Sequence, residues 1–203
     1  MLVLSIFNQI LIIILLITNT AVHAEVIKIM EVKQANATNN TKKLNFANPL
    51  HFTNVATISD NVMGGQSSGG FTLNDDKTEI IFFGDLSLEN NGGFSSIEFS
   101  LINHLPNIDY KRLCLKAVLD GRRYQLRLKT ADTPNGVAYS AEFGSEKNNC
   151  FNFVLSDFKP RYRGRAVLGI APLRFADITQ VSIMLADKTA APFMTKLQSI
   201  ELN

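Results

Sequence analysis

The chain has 203 residues, and 20 Lys and Arg stand against 18 Asp and Glu, a formal net charge of +2. That balance gives no field suited to a nucleic-acid backbone, and two cysteines form one bridge at most, too few for a disulfide scaffold. The length allows a leader and a single domain large enough to bury its own core.

The first element predicted along the chain is an export leader. Residues 1–24 contain no Asp, Glu, Lys or Arg, and the unbroken apolar run lies at 10–17. That run is shorter than the roughly 20 residues a helix needs to span hydrocarbon, and Val22-His23-Ala24 offers a small-residue cleavage site before Glu25. A signal peptide over 1–24 is expected, which makes the chain exported, periplasmic or extracellular. Left uncleaved, the same segment would anchor it to a membrane. A mitochondrial transit peptide is disfavoured, because such segments are Arg-rich and no basic residue precedes Lys28. Residues 25–43 are rich in Asn, Thr and Lys and poor in large apolar side chains, the composition of a flexible polar linker; Asn36 and Asn39 each open an Asn-x-Thr sequon.

From residue 44 to 203 short apolar-polar alternation is broken by Gly, Asn and Asp, with no long 3.6-residue stripe. The pattern predicts strands over 52–59, 70–73, 79–88, 93–101, 112–119, 122–130, 137–143, 150–155, 179–186 and 196–202. With turn signals between them and no intervening helices, the expected fold is all-β: an antiparallel two-sheet sandwich or jelly roll.

Asp120-Gly121 favours a two-residue type I′ turn, which predicts a hairpin pairing Leu119 with Arg122, Ala117 with Tyr124, Leu115 with Leu126 and Leu113 with Leu128. One side of that hairpin would be core. The other would carry Arg112, Cys114 and Lys116 beside Arg123, Gln125, Arg127 and Lys129, with no acid among them. Such a side is either a solvated sheet face or a docking surface for an acidic partner or anionic ligand. The same phase puts Cys114 and Cys150 on polar faces, so a bridge forms if their strands are neighbours.

No catalytic constellation is readable. After His23 of the leader, His51 and His104 are isolated, with no ligand-spaced pair, so neither a metal nor a cofactor is expected. The distinctive segment is Ser59-Asp60-Asn61-Val62-Met63-Gly64-Gly65-Gln66-Ser67. Asp60 and Asn61 can bond local amides, Gly64 and Gly65 permit positive φ or close backbone approach, and Met63 is apolar within a polar loop. Asp60, Asn61, Met63, Gly64, Gly65 and Ser67 thus make either a structural connection or a ligand-facing loop.

The stretch from Asp60 to Ser67 resembles the Asp-x-Val-Met-Gly-Gly-x-Ser hallmark of the complex I intermediate-associated protein family. Further pieces follow in the family's order: Phe83-Gly84-Asp85-Leu86, Asn90-Asn91-Gly92-Gly93-Phe94, Asp120-Gly121-Arg122-Arg123-Tyr124, Asp157-Phe158, Arg163-Gly164-Arg165, Leu185-Ala186-Asp187-Lys188 and Pro192-Phe193. The chain departs from the family pattern in having no Trp and in reading Leu119-Asp120-Gly121 where Gly-Asp-Gly is usual. The resemblance implies a galactose-binding-like β-sandwich and a non-enzymatic, protein-binding role in assembly or as a chaperone-like factor. A carbohydrate-binding module of the same fold is the alternative.

Overall fold

The computed structural model describes Glu25, Ile27, Lys28 and residues 41–144 and 150–203. The leader read over 1–24, and most of the linker with Asn36 and Asn39, lie outside the described residues; Glu25, Ile27 and Lys28 are helical. The chain divides into two compact units, 1–41 and 42–203.

The regular structure of the second unit is strands, joined by loops and short 3-10 turns. In chain order they are β1 (Lys42–Asn45), β2 (Phe52–Ser59), β3 (Ser68–Leu73), β4 (Ile80–Leu86), β5 (Ser95–Leu101), β6 (Arg112–Val118), β7 (Arg123–Thr130), β8 (Val137–Gly144), β9 (Cys150–Val154), β10 (Lys159–Tyr162), β11 (Arg165–Ala166), β12 (Ile178–Leu185) and β13 (Ala191–Leu202). Sheet I runs β3-β4-β13-β6-β9 with β1 added on β13, and sheet II runs β11-β10-β8-β7-β12-β5-β2, every pairing antiparallel. The fold is thus the two-sheet sandwich expected.

Alternation along each strand decides which side faces the interior. On β7, Tyr124, Leu126 and Leu128 are wholly buried, and on β6 so are Leu113 and Leu115. Each such side chain contributes roughly 1.5–3 kcal/mol of transfer free energy. On β13 a bulge between Leu197 and Ser199 shifts the phase, which is how Leu197, Ile200 and Leu202 all point inward. Aromatic rings fill the space between the sheets. Phe46 stacks on Phe52 with centroids 5.2 Å apart, and Phe143, Phe153, Phe158 and Phe175 form a chain of ring contacts.

The hairpin expected at Asp120-Gly121 does not form. β6 pairs with β13 and β9 in sheet I, whereas β7 pairs with β12 and β8 in sheet II. A type I′ turn needs positive φ at both central residues; Gly121 has φ +89°, but Asp120 is not among the positive-φ residues. The Asp120 carboxylate instead receives the Arg122 N–H (3.1 Å), the Tyr124 hydroxyl (3.1 Å) and the Met194 N–H of β13 (2.9 Å), and so holds an arch that carries the chain from one sheet to the other. Leu113, Leu115 and Ala117 still reach the interior, as do Leu128, Leu126 and Tyr124, but the two sets come from different sheets. Burial with the Asp120 charge alongside pushes the Tyr124 phenol far above its ordinary value.

Strands β1, β10 and β11 were not foreseen, and β13 begins five residues before the 196 expected. Pro160 and Pro192 sit in the missed stretches, where a ring without an N–H argues against a strand interior. Both lie on short or terminal strand segments.

Candidate functional site

The glycine loop leaves β2 at Ser59 and turns through a single 3-10 turn, Asp60–Met63, before β3. The Asp60 side chain is 1% exposed. Its Oδ1 accepts the Ser67 N–H at 2.8 Å, and its Oδ2 accepts the Ser67 hydroxyl (2.6 Å), the Phe94 N–H (3.2 Å) and the Gly93 N–H. Burial alone would raise this carboxyl, but the donors from Ser67, Gly93 and Phe94 outweigh it and hold the pKa below its ordinary value. A Cβ at Gly65 would lie 2.3 Å from Asp60 Oδ1, and one at Gly92 2.5 Å from Oδ2, so two glycines make the slot the carboxylate occupies.

This knot divides the sequence-predicted loop into two sets. Asp60, Gly65 and Ser67 point inward and are consumed by structure. Asn61, Met63 and Gly64 are exposed, and Val62, not among the candidate site residues, is the most exposed of the loop's large apolar residues at 70%, with Met63 at 58%. The Asn90 side-chain amide donates to the Gly64 carbonyl at 3.1 Å and ties the neighbouring 3-10 turn, Glu89–Asn91, with the half-exposed Leu88 before it, to the loop. A polar knot therefore presents an apolar tip.

The single basic face predicted from the hairpin is corrected by the pairing. Arg112 and Lys116 belong to the outer side of sheet I, and Arg123, Arg127 and Lys129 to that of sheet II. Acids also reach these cations from strands the sequence could not place beside them. Glu201 of β13 bonds Lys116 at 3.0 Å and Lys43 at 3.3 Å, and Arg123 lies 3.8 Å from Glu142. Burial opposes ionisation of Glu201, but the two ammonium groups prevail and keep its pKa low. Arg127 is half-buried; burial lowers its pKa, partly offset by Glu98, and one guanidinium N–H points to the Met184 sulfur at 3.1 Å. Strands β6 and β9 are neighbours, and a Cys114–Cys150 disulfide joins them on the outside of sheet I.

A second node lay in residues whose roles the sequence reading did not assign. Arg122 forks onto Asp187 through Nε (2.9 Å) and Nη2 (2.6 Å) and donates to the Ala191 carbonyl at 2.8 Å. Both side chains are nearly buried, at 12% and 14% exposure. The charged pair at fixed separation in sequence was visible; its contact was not.

A cleft of about 360 Å³ opens between β8 and β9, lined among others by Phe143, Phe151, Glu142 and Asp157. Glu142 lies 3.8 Å from Arg123, and Asp157 accepts the Val154 N–H at 2.8 Å, so its acids are engaged and, among the described residues, no nucleophile-base pair lines it.

The model of the family described as Complex I intermediate-associated protein 30 (CIA30) matches residues 44–197. The chain belongs to this family. An uncharacterized protein of Schizosaccharomyces pombe is 30% identical over 152 residues, 66% of this chain and 69% of that protein. Among solved structures, the family 11 carbohydrate-binding module of the Clostridium thermocellum cellulosomal cellulase Lic26A-Cel5E superposes with a TM-score of 0.53 at 14% identity, over 80% of this chain and 93% of the module. The C. thermocellum family 11 module in complex with a mixed-linked tetrasaccharide gives a TM-score of 0.52, also at 14% identity, over 80% and 94%. At this identity the likeness is one of fold.

Proposed function

We propose that the chain is an exported, non-catalytic protein-binding module of assembly or chaperone-like type, which contacts its partner through the tip formed by Val62 and Met63. One observation carries the reading. Every polar group of the loop that could address a ligand from Asp60 or Ser67 is spent internally, while two apolar side chains are held outside on a hydrogen-bonded 3-10 turn. Burying such side chains against a partner contributes roughly 1.5–3 kcal/mol each, and Met adapts to irregular surfaces. The family description, which names association with a complex I intermediate, supports the same class.

The test places a photo-cross-linking residue at position 63 of the full chain. A discrete adduct that Val62→Asp abolishes, with the unfolding midpoint unchanged, is expected; no site-dependent adduct would overturn the reading. Carbohydrate binding is the second reading, favoured by the fold shared with the family 11 modules. A glycan array with specific hits insensitive to Val62→Asp would establish it in place of the first.

A further inference from the structure

The outer side of sheet II contains a trough that neither the loop nor the family match explains. Its floor is β8, where Ala138 and Ser140 point away from the core yet are 0% and 7% exposed. Its walls are the flanking strands. Ser140 is paired with Arg127 of β7 on one side and Lys159 of β10 on the other, and Ala138 is paired with Arg161. Lys129 stands two residues beyond Arg127, on the same face and level with Arg161. Four cations thus border two small residues. Among the described residues no carboxylate lies within 4.0 Å of any of the four. Their internal partners are the Met184 sulfur for Arg127 and the Gly164 carbonyl for Arg161. The acids on the described strands of sheet II are Glu98, two strands from Arg127 and bonded by Gln180 at 3.1 Å, and Glu142, two residues along β8 and 3.8 Å from Arg123, while Asp132 lies in the β7–β8 connection.

The dimensions select a ligand. Because β7 and β10 each run antiparallel to β8, the cations along either wall advance in the same direction, about 6.8 Å per step, and the walls stand about 9.6 Å apart. An extended peptide has the same 6.8 Å repeat between alternate side chains. Carboxylates at positions i and i+2 would meet the Arg127–Lys159 level and then the Lys129–Arg161 level. Among the described residues no aromatic ring stands on this face of the trough, since Tyr139 and Tyr162 take the opposite phase, so they offer no stacking platform for a sugar ring. We propose that this trough docks an extended acidic segment of a partner protein, with Asp or Glu at alternate residues. The site is separate from the Val62–Met63 tip and stands even if that tip contacts nothing.

The experiment uses the full chain and fluorescein-labelled octapeptides, read by anisotropy at low and moderate salt. A peptide of alternating Glu and Ser is expected to bind, more weakly as salt rises, and better than a peptide with the same residues in two blocks. Arg127→Gln and the exposed Lys159→Gln should each weaken it, and the double variant by at least about tenfold. Lys116→Gln, on the other sheet, and Val62→Asp should leave it unchanged, which separates this site from the tip. Equal binding of alternating and blocked peptides, or equal loss with Lys116→Gln, would overturn the proposal. So would polygalacturonate displacing the peptide and binding more tightly in an Arg127- and Lys159-dependent way, which would assign the trough to an acidic glycan.

Discussion

Replacing Asp60 by Asn keeps the shape of the knot and removes its charge. The carboxylate receives four donors, three of them on Oδ2. The amide carbonyl must therefore take the Oδ2 position, which turns the NH2 toward the Ser67 N–H and leaves that buried donor without an acceptor. An orphaned buried donor costs roughly 1–3 kcal/mol, and loss of charge assistance in the remaining bonds adds to it. A total near 2–4 kcal/mol lowers the midpoint by roughly 5–12 °C for a domain of this size. The pH dependence gives an independent check. The folded pKa of Asp60 lies below its ordinary 3.8, so its stabilisation is complete above the unfolded pKa and is lost as pH falls through the folded one. Urea titration followed by far-UV circular dichroism at pH 7 and pH 3 should show a variant deficit that shrinks at the lower pH. A deficit under about 0.5 kcal/mol at pH 7, or one that grows on acidification, would refute the reasoning.

Gly65→Ala drives a Cβ to within 2.3 Å of the Asp60 carboxylate, and a loss of roughly 1–3 kcal/mol is expected from the overpacking, measured as the urea midpoint with an unchanged slope. The Cys114–Cys150 bridge closes a loop of sequence separation 36, which in the chain-entropy picture is about 4 kcal/mol; a Cys114→Ser/Cys150→Ser chain should melt well below the oxidised parent and coincide with the parent in reductant. Arg122→Lys retains a cation but cannot make the two-pronged contact with Asp187 and the Ala191 carbonyl. Its thermal midpoint should fall by several degrees, whereas Arg112→Lys, on an exposed side chain, should leave it unmoved.

The period-2 alternation of Leu113, Leu115 and Ala117, and of Tyr124, Leu126 and Leu128, correctly gave buried and outward sides, because pleat geometry is local. The partner of each strand is not local. Glu201 lies far along the chain from Lys116, and only the β6–β13 ladder sets them 3.0 Å apart. The basic face was misread for this reason: alternation assigns a residue to an outer side without saying which sheet's outer side. Lys159 and Arg161 were hidden by Pro160, although the cationic cluster at 161, 163 and 165 was plain in the sequence. The loop was legible in its chemistry but not in its polarity, since Asp60 and Met63 could each have faced inward until Gly93 and Phe94 were placed against the carboxylate.

The arch at Asp120 explains why a sound local rule failed there. Asp-Gly suits a type I′ turn, and the flanking alternation fits a hairpin and a sheet-to-sheet crossing equally well, because in either case the same side chains leave water. What differs is where the turn's polar groups find partners. In a hairpin Asp120 would face solvent; here its carboxylate serves the Tyr124 hydroxyl and the Met194 N–H, while Arg122 beside it is locked to Asp187 and the Ala191 carbonyl. These contacts draw on β13 and on the connection after β12, so the arch is held by groups from the end of the chain. The outcome matters for binding, because it splits the charges of β6 and β7 between two sides. Lys116 is then neutralised by Glu201, and Arg127 and Lys129 are left to border the β8 trough with the two cations of β10.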